Sequence, residues 1–463
     1  MFDGDLLCYK NNICLLTEDK SFTYKEINEL CNKIETFCPK EKQLVLVKAG
    51  INIETIIGYI SCLRAHYAFI MLDHSIDKAL EENILNIYKP NFIWERVSAD
   101  FEYKVKIFNY GLRINNTEKL NLHKDLSLML STSGTTGSPK MVKLTKNNIY
   151  ANCKSIVKYL KINSSHRAIT NLPLYYSYGL SVLNTHLSQG ASIVVNDNSI
   201  MSKEFWEAFK KFQVTTLNGV PYHYEILKKI GFMRMDLPSL KYLTQAGGKL
   251  NKKLIKEFAT WSRETNIQFF VMYGQTEATA RISYLPTDKT LEKVDSIGIA
   301  VPEGKLYIKD LNSANIVKDN FIDGELIYKG SNVMMGYATS LEDLSKGDEL
   351  KGVLHTGDVA YKDKDNFFYI TGRLKRFLKI HGNRVGLDEI EDFLKSLSYD
   401  VLCTGVDNKL MIATTNSEIL DDIKQKIIDT YSFHHSVVKV KYIESYPITH
   451  SGKIQYQKLM EIF

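Results

Sequence analysis

The 463-residue sequence contains no apolar run of 18 residues and no block of five like charges. A membrane-spanning helix needs about 20 apolar residues, so we expect no membrane span. The 7 cysteines are odd in number and none stands in a C-x-x-C pair, which argues against a disulfide framework and a zinc site. The first residues, MFDGDLLCYKNN, carry acids where a secretory signal carries lysines. These absences predict a soluble, cytoplasmic protein with reduced thiols.

The charge balance is close to even. The sequence has 59 Lys and Arg against 53 Asp and Glu, which leaves a net charge of +6. This excess is too small and too scattered to predict nucleic-acid binding. It suits anionic small substrates or an acidic partner protein. The length allows two or three domains of roughly 100–200 residues each.

Apolar periodicity predicts an α/β chain. Strand patterns at 44–50 and 68–72 flank a helical pattern at 53–66, and this alternation continues to about residue 296. Short alternating strands separated by Gly, Asp and Asn turns follow, and helix–strand alternation returns from about 385. We therefore predict a large N-terminal domain of mostly parallel sheets with flanking helices plus a small barrel, followed by a small mobile α+β C-terminal domain.

The stretch LSTSGTTGSPKMVKL at 130–144 concentrates hydroxyl side chains and glycines before a lysine. Glycines let backbone amides approach an anion closely, and hydroxyls and lysine bind phosphate oxygens. The stretch is not a Walker loop, because the sixth residue from Gly134 is Pro139. It fits a polyphosphate-binding loop, and a flexible surface turn is the alternative.

Two later stretches also carry polar groups at the ends of apolar strands. In YGQTE, Tyr273 can stack on a base, Thr276 can bind a phosphate, and Glu277 is an oxygen ligand suited to Mg²⁺. In HTGD, Asp358 can accept hydrogen bonds from ribose hydroxyls, with Arg373 as a further contact. A capped strand-to-helix turn and a Gly/Asp hairpin are the respective alternatives.

These stretches, taken in order, resemble the adenylate-forming superfamily, which includes acyl- and aryl-CoA synthetases, peptide-synthetase adenylation domains and luciferases. The resemblance rests on STSGTTGSPK, YGQTE, TGD, GRLKRFLKIHGNR and SGK. It also rests on SFTYKEINELCNKI, LRAHYAFIMLD and GELIYKGSNVMMGY, and it extends from about residue 21 to 459. The sequence departs from the usual pattern at three positions: Met141 replaces a frequent glycine, Tyr176 a frequent histidine, and Lys375 a frequent aspartate.

The resemblance implies a reaction in two steps. A carboxylic acid displaces pyrophosphate from ATP to form an acyl-adenylate, and a thiol then takes the acyl group as a thioester. Implied catalytic residues are Lys140, Thr276, Glu277 and Lys453, with Glu277 and Thr135 as Mg²⁺ ligands. Implied nucleotide-binding residues are Ser131, Thr132, Ser133, Gly134, Thr135, Thr136, Gly137, Gly247, Gly248, Tyr273, Gly274, Gln275, Asp358 and Arg373.

The resemblance also implies a division of the chain. Residues 1–374 form the N-terminal domain, with the barrel-like subdomain at about 296–372, and residues 376–463 form a C-terminal lid. The lid turns about the hinge Lys375. It first brings Lys453 to the carboxylate and the α-phosphate, and then presents the KIHGNR loop to the thiol.

Candidate pocket residues for the acid are Tyr176, Ser177, Tyr178, Asn218 and Tyr222, with Tyr175, His186 and His223 also considered. Core packing is the alternative for each. Relatives that activate amino acids place an aspartate at the position of Ser177, where it pairs with the α-ammonium group. Its absence predicts a short-chain or aromatic acid without an α-amino group.

The partner that supplies the thiol is expected to be a separate molecule, because no carrier domain follows Phe463. CoA and the phosphopantetheine arm of an acyl or peptidyl carrier protein both fit. We expect a monomer or homodimer. Other hypotheses are a stand-alone amino-acid adenylation enzyme that loads a carrier protein, a luciferase-like oxygenase, and a non-catalytic nucleotide-binding homologue.

Overall fold

A computed structural model gives the architecture. The residues it describes are 5–37, 39–131, 140–374, 376–380, 383–431, 433–448 and 454–463. The chain divides into two compact units. The first comprises Met1–Val294, Gly298–Lys305 and Lys329–Leu354, and the second Asp295–Ile297, Leu306–Tyr328 and His355–Phe463.

The α-helices in the described part of the chain are α1 (Asp5–Cys8), α2 (Tyr24–Glu35), α3 (Ile53–Arg64), α4 (Lys78–Tyr88), α5 (Lys146–Leu160), α6 (Ser177–Leu187), α7 (Lys203–Lys211), α8 (Pro221–Lys229), α9 (Lys252–Thr265), α10 (Leu387–Ser396), α11 (Leu420–Tyr431) and α12 (Tyr456–Glu461). Short 3₁₀ helices are Phe232–Arg234, Thr276–Ala278, Glu342–Ser345 and Ser417–Ile419.

The strands, in chain order, are β1 (Ile13–Leu16), β2 (Ser21–Thr23), β3 (Leu44–Ala49), β4 (Ala68–Asp73), β5 (Phe92–Arg96), β6 (Val105–Ile107), β7 (Tyr110–Ile114), β8 (Leu126–Ser131), β9 (Met141–Thr145), β10 (Arg167–Ile169), β11 (Ser192–Val194), β12 (Thr216–Gly219), β13 (Tyr242–Gln245), β14 (Gln268–Tyr273), β15 (Ser283–Leu285), β16 (Ile299–Ala300), β17 (Lys305–Lys309), β18 (Gly324–Lys329), β19 (Gly336–Ala338), β20 (Val353–Lys362), β21 (Phe368–Arg373), β22 (Phe377–Ile380), β23 (Asn383–Gly386), β24 (Leu402–Val406), β25 (Lys409–Thr414) and β26 (Val438–Tyr442).

Local sequence explains where several elements begin. Thr23 caps α2, and its side chain and that of Glu26 form a reciprocal capping box. Asn52 caps α3 by accepting a hydrogen bond from the Thr55 amide. The apolar residues of β3 and β4 are buried, as central strands of a parallel sheet require.

The first unit contains two large sheets. One has nine strands in the order β16-β15-β14-β13-β12-β10-β11-β1-β2, and the other has eight in the order β19-β9-β8-β4-β3-β5-β7-β6. The central strands of both sheets are parallel, and antiparallel strands lie at their edges. The predicted α/β fold class is therefore confirmed.

The second unit is built from smaller sheets. The segment predicted as barrel-like contributes the four-stranded sheet β17-β18-β20-β21. The C-terminal part has the hairpin β22-β23 and the mixed sheet β24-β25-β26, with α10 and α11 over a core that includes Ile390, Leu410 and Ile423. The predicted division at Lys375 stays a prediction, because this residue lies outside the described ranges.

Parallel strands align their carboxyl ends, and this edge of the nine-stranded sheet carries the polar candidates. Strands β10, β12, β13 and β14 run parallel to one another. Asn218 lies near the end of β12, Gly247 follows β13, and the YGQTE segment follows β14. In open α/β sheets, ligands bind in the crevice outside the carboxyl ends of the strands.

Candidate active site

The turn after β14 is shaped by a glycine. A Cβ atom at Gly274 would overlap the carbonyl oxygen of Ala280 and lie 2.7 Å from its carbonyl carbon. The chain can therefore fold back on itself only with glycine at this position. Thr279 adopts a φ of 65° and donates a 2.8 Å hydrogen bond to the Asn332 carbonyl, which fixes the far side of the turn. The turn holds the short helix Thr276–Ala278 in place.

Glu277 and Lys140 meet through one tyrosine ring. The hydroxyl of Tyr337 donates a 3.0 Å hydrogen bond to Glu277 Oε1. Lys140 Nζ lies 3.3 Å from the centroid of the same ring, a cation–π contact. Burial and the neighbouring Glu277 carboxylate raise the pKa of Tyr337, so its hydroxyl remains a donor at neutral pH. The structure thus brings together two predicted residues, and Tyr337 is a third that sequence reasoning did not name.

Glu277 provides one carboxylate ligand, which fits Mg²⁺ that binds together with a nucleotide. Among the residues that the structure describes, no group of three or more His, Cys, Asp or Glu side chains is arranged to hold a metal alone. Mg²⁺ commonly binds one or two carboxylates and completes its coordination with waters and substrate phosphates. A single half-buried carboxylate beside a lysine matches that requirement.

Thr276 faces the beginning of α6. Its Oγ1 lies 3.3 Å from the Oγ of Ser177, the first residue of that helix. The N-cap residue, Tyr176, makes no side-chain capping bond. Helix N-termini attract anions through their exposed amides and the helix dipole. Two hydroxyls and a helix N-terminus therefore converge on one point, which suits a phosphate or carboxylate oxygen.

Two glycines after β13 lie beside Tyr176 and α8. Gly247 has a φ of 88°, and a Cβ atom there would sit 2.5 Å from Tyr176 Oη. Gly248 lies against Pro221. Across the sheet edge, Gln275 Nε2 donates a 3.1 Å hydrogen bond to Tyr273 Oη. The predicted adenine-binding residues thus lie on neighbouring strand ends.

The predicted ribose contacts belong to the second unit. Asp358 on β20 pairs in register with Arg373 on β21, and Arg373 Nε lies 3.0 Å from Asp358 Oδ1. The carboxylate is buried, whereas 63% of the arginine side chain is exposed. The amide of Asp358 donates to Thr356 Oγ1 at 3.1 Å, which fixes the turn around Gly357. A fixed carboxylate next to an exposed guanidinium can bind a diol.

The pocket candidates have different environments. Tyr178 is buried, its Oη donates to the Thr244 carbonyl at 2.9 Å, and the Arg281 guanidinium stacks on its ring. Asn218 is 3% exposed, whereas Tyr222 is 46% exposed on α8. Tyr178 therefore fills space between α6 and β13, and Tyr222 faces outward.

Other predicted residues lie outside the described ranges. These are the loop residues Thr132, Ser133, Gly134, Thr135, Thr136 and Gly137, the hinge Lys375 and the catalytic Lys453. Ser131 is described and is the exposed last residue of β8.

Comparison with known proteins decides the family. The model of the family described as AMP-binding enzyme matches residues 5–338. The chain belongs to the AMP-binding enzyme family. The predicted superfamily and enzyme class, an AMP-forming ligase that activates a carboxylic acid and transfers it to a thiol, are thereby confirmed.

This AMP-binding enzyme has relatives along most of its length. It is 30% identical over 369 residues to YngI of Bacillus subtilis (strain 168), named as an acyl-CoA synthetase; the match covers 75% of this chain and 65% of YngI. It is 24% identical over 470 residues to a 2-succinylbenzoate–CoA ligase of Bacillus pumilus, which covers 96% of this chain and 94% of that ligase.

Solved structures show the same fold. O-succinylbenzoate coenzyme A synthetase (MenE) from Bacillus subtilis, in complex with ATP and magnesium ion, matches with a TM-score of 0.78 at 19% identity. The match covers 99% of each chain. In the described part of this AMP-binding enzyme, no helix has both the length and the apolar character to cross a membrane.

Proposed function

We propose that the chain activates a short or aromatic carboxylic acid without an α-amino group and transfers it to CoA. The observation that carries this proposal is the convergence of Thr276, Ser177 and the start of α6, with Glu277 and Lys140 held nearby by Tyr337. It provides hydroxyls, amides, a cation and a metal-binding carboxylate at one end of a parallel sheet. A phosphoryl-transfer site of this kind works by alignment and charge stabilisation.

The roles follow from this arrangement and from the family. The 131–140 segment binds the β- and γ-phosphates, and Thr276 binds the α-phosphate. Glu277 holds Mg²⁺, which neutralises phosphate charge when bound. The relative that was solved with ATP and magnesium supports this choice of cofactors. Asp358 and Arg373 bind the ribose, and Tyr273 lines the adenine site beside the glycines.

The carboxylate needs no general base, because carboxylic acids are already ionised near pH 7. It attacks the α-phosphorus, a new C–O–P linkage forms, and the bond to pyrophosphate breaks. Lys453 bridges the carboxylate and the α-phosphate as charge develops on their oxygens. The thiol sulfur then attacks the acyl carbon and loses its proton to solvent. The C–O bond to the phosphate breaks, and AMP leaves with the electron pair of that bond.

The environment of the pocket residues supports the acid class. Ser177 offers no carboxylate to an α-ammonium group, and Tyr178 fills space that a long acyl chain would need. Curated relatives named as an acyl-CoA synthetase and a 2-succinylbenzoate–CoA ligase support CoA as the acceptor. A carrier-protein phosphopantetheine is the second candidate. We also propose that the enzyme acts in the cytoplasm.

ATP–pyrophosphate exchange across a panel of short, aromatic, long-chain and α-amino acids tests the proposal. We expect exchange with short or aromatic acids, followed by thioester formation when CoA is added. Preference for an α-amino acid would contradict the acid class, and thioester formation only with a carrier protein would contradict the acceptor. If no acid of the panel supported exchange, the result would favour a non-catalytic nucleotide-binding protein.

The role of Lys453 has its own test. Lys453→Ala should lower adenylation by orders of magnitude while thioester formation from supplied acyl-adenylate remains largely intact. Lys458→Ala, an exposed lysine on α12, is the matched control and should change neither half-reaction. Equal loss of both half-reactions in Lys453→Ala would contradict the proposed role.

A further inference from the structure

Three polar side chains gather at the carboxyl ends of β10 and β12. Asn171 lies two residues beyond β10, Asn218 lies on β12, and His223 lies in the first turn of α8. The Asn218 carbonyl accepts a hydrogen bond from Asn171 Nδ2, and the His223 ring lies near the same carbonyl. We call Asn171, Asn218 and His223 the Asn–Asn–His cluster.

Each member of the cluster keeps a buried polar atom without a partner. Asn171 Oδ1, Asn218 Nδ2 and His223 Nδ1 have no hydrogen-bond partner among the described residues. Asn218 Oδ1, by contrast, accepts a 2.7 Å hydrogen bond from Thr244 Oγ1. A buried polar atom without a partner is costly, so three in one place indicate a site for a polar group or a water molecule.

The cluster borders a cavity. Asn171 and Asn218 line it together with apolar residues of α6 such as Val182 and Leu183. The cavity is small, about 10 Å³, which is room for one water-sized polar group such as a hydroxyl.

The free valences define the chemistry of the missing partner. The oxygen of Asn171 is an acceptor, because its Nδ2 already donates to the Asn218 carbonyl. Burial lowers the pKa of His223 to about 4, so its ring is neutral at pH 7. The Asn218 amide supplies N–H donors. A carboxylate brings no proton to the Asn171 oxygen, whereas a hydroxyl or carboxamide offers both a donor and an acceptor.

We propose that the Asn–Asn–His cluster binds a hydroxyl or carboxamide group that the acid carries in addition to its reacting carboxylate. The proposal rests on the proposed function and narrows its substrate class to acids with a neutral polar substituent. Asn218 lies two strands from β14, which corresponds to roughly 10 Å at the usual strand spacing. This span fits a substituted aromatic acid whose carboxylate reaches Thr276.

Exchange kinetics with matched acids test the proposal. The probes are 3- and 4-hydroxybenzoate, their carboxamide analogues, unsubstituted benzoate, the corresponding dicarboxylates, and 5-hydroxypentanoate against pentanoate. We expect at least one hydroxyl or carboxamide acid to exceed both its unsubstituted and its carboxylate analogue by at least about 100-fold in kcat/KM, because a site built for hydrogen bonds rejects analogues that lack them.

Variants connect that preference to the cluster. Asn171→Leu and Asn218→Leu keep the number and branching of the side-chain heavy atoms and remove the polar atoms. Each should reduce the preference to less than about 5-fold while exchange with the unsubstituted acid persists. Asn198→Leu, at an exposed asparagine of the same unit, is the control and should keep the full preference. If either cluster variant fails to fold, His223→Phe tests the same expectation at the third position.

The outcomes separate two failures. The inference is wrong if some acid supports exchange but kcat/KM differs by only a few fold within every matched pair. It is also wrong if the preference survives in the cluster variants, because the cluster then does not bind the substituent. If no acid of any class supports exchange, the proposed function itself fails.

Discussion

The sharpest structural test of the site is the substitution Gly274→Ala. A Cβ atom there would lie 2.7 Å from the Ala280 carbonyl carbon and 2.9 Å from Arg281 Cα, and would overlap the Ala280 oxygen. Ordinary carbon–carbon contacts are roughly 3.5 Å, so the turn must open by at least about 0.8 Å. All three obstacles are backbone atoms, which a rotamer change cannot move.

Opening the turn displaces Thr276 and Glu277, which come two and three residues after Gly274. A displacement of about 1 Å in a reacting site can cost about 100-fold in rate. Overpacking of this kind also destabilises a fold by about 1–3 kcal/mol. We therefore expect Gly274→Ala to lower kcat/KM for ATP–pyrophosphate exchange by about 100-fold or more, in a protein that still folds at 20 °C but melts several degrees lower.

The assay is exchange measured with the best acid of the panel, alongside thermal unfolding followed by circular dichroism. Gly372→Ala is the matched control, because a Cβ atom there has its nearest neighbour at 3.5 Å, an ordinary contact. That variant should lose little stability. Near-normal exchange in Gly274→Ala would refute the reasoning, since it would mean that the positions of Thr276 and Glu277 do not govern the reaction.

Two further predictions concern single side chains. Tyr337→Phe removes the 3.0 Å hydrogen bond to Glu277. It should lower kcat/KM about 10-fold and raise the Mg²⁺ concentration that gives half-maximal exchange. The control Tyr150→Phe, at an exposed tyrosine, should change neither quantity, and an unchanged Mg²⁺ dependence in Tyr337→Phe would contradict its role. Burial lowers the pKa of His186 from 6.5 to about 4. As the pH falls, the unfolded chain therefore binds a proton at this residue before the folded chain does. The free energy of unfolding should fall by up to about 3 kcal/mol between pH 6.5 and pH 4. Urea unfolding at pH 7 and pH 4.5 should show that His186→Gln reduces this pH dependence, whereas the control His435→Gln, at an exposed histidine, does not. An equal change in unfolding free energy between the two pH values in both variants would contradict the role of His186.

Much of the fold can be predicted because its signals are local. The capping box at Thr23 and the cap at Asn52 mark helix starts within four residues of sequence. Buried strands such as β3 and β4 appear as short apolar runs between turn residues. Sheet order is different, because it depends on pairings between segments far apart in the chain: β1 pairs with β11, and β9 pairs with β19. The sequence patterns contain no such register.

The residues of the proposed nucleotide site are also predictable in part. Thr276 and Glu277 come three and four residues after the end of β14, so their motif and their location are the same local feature. Tyr337 escaped prediction because it reaches Glu277 across 60 residues of sequence. Its only signal was its place in the GELIYKGSNVMMGY stretch, which identified the family and gave no partner.

The acid specificity is harder to predict for a physical reason. What matters at Asn218 is which atoms remain available after folding: Thr244 takes its Oδ1, while its Nδ2 stays without a partner among the described residues. Asn171 is oriented by a backbone carbonyl 47 residues away in sequence, so its free oxygen exists only in the folded chain. The type of reaction depends on motifs that are contiguous in sequence. The choice of substrate depends on hydrogen-bonding atoms that stay unpaired after residues far apart in sequence have come together. For this reason the same motifs can serve many acids, and exchange with matched pairs of acids carries more information about this enzyme than any further motif.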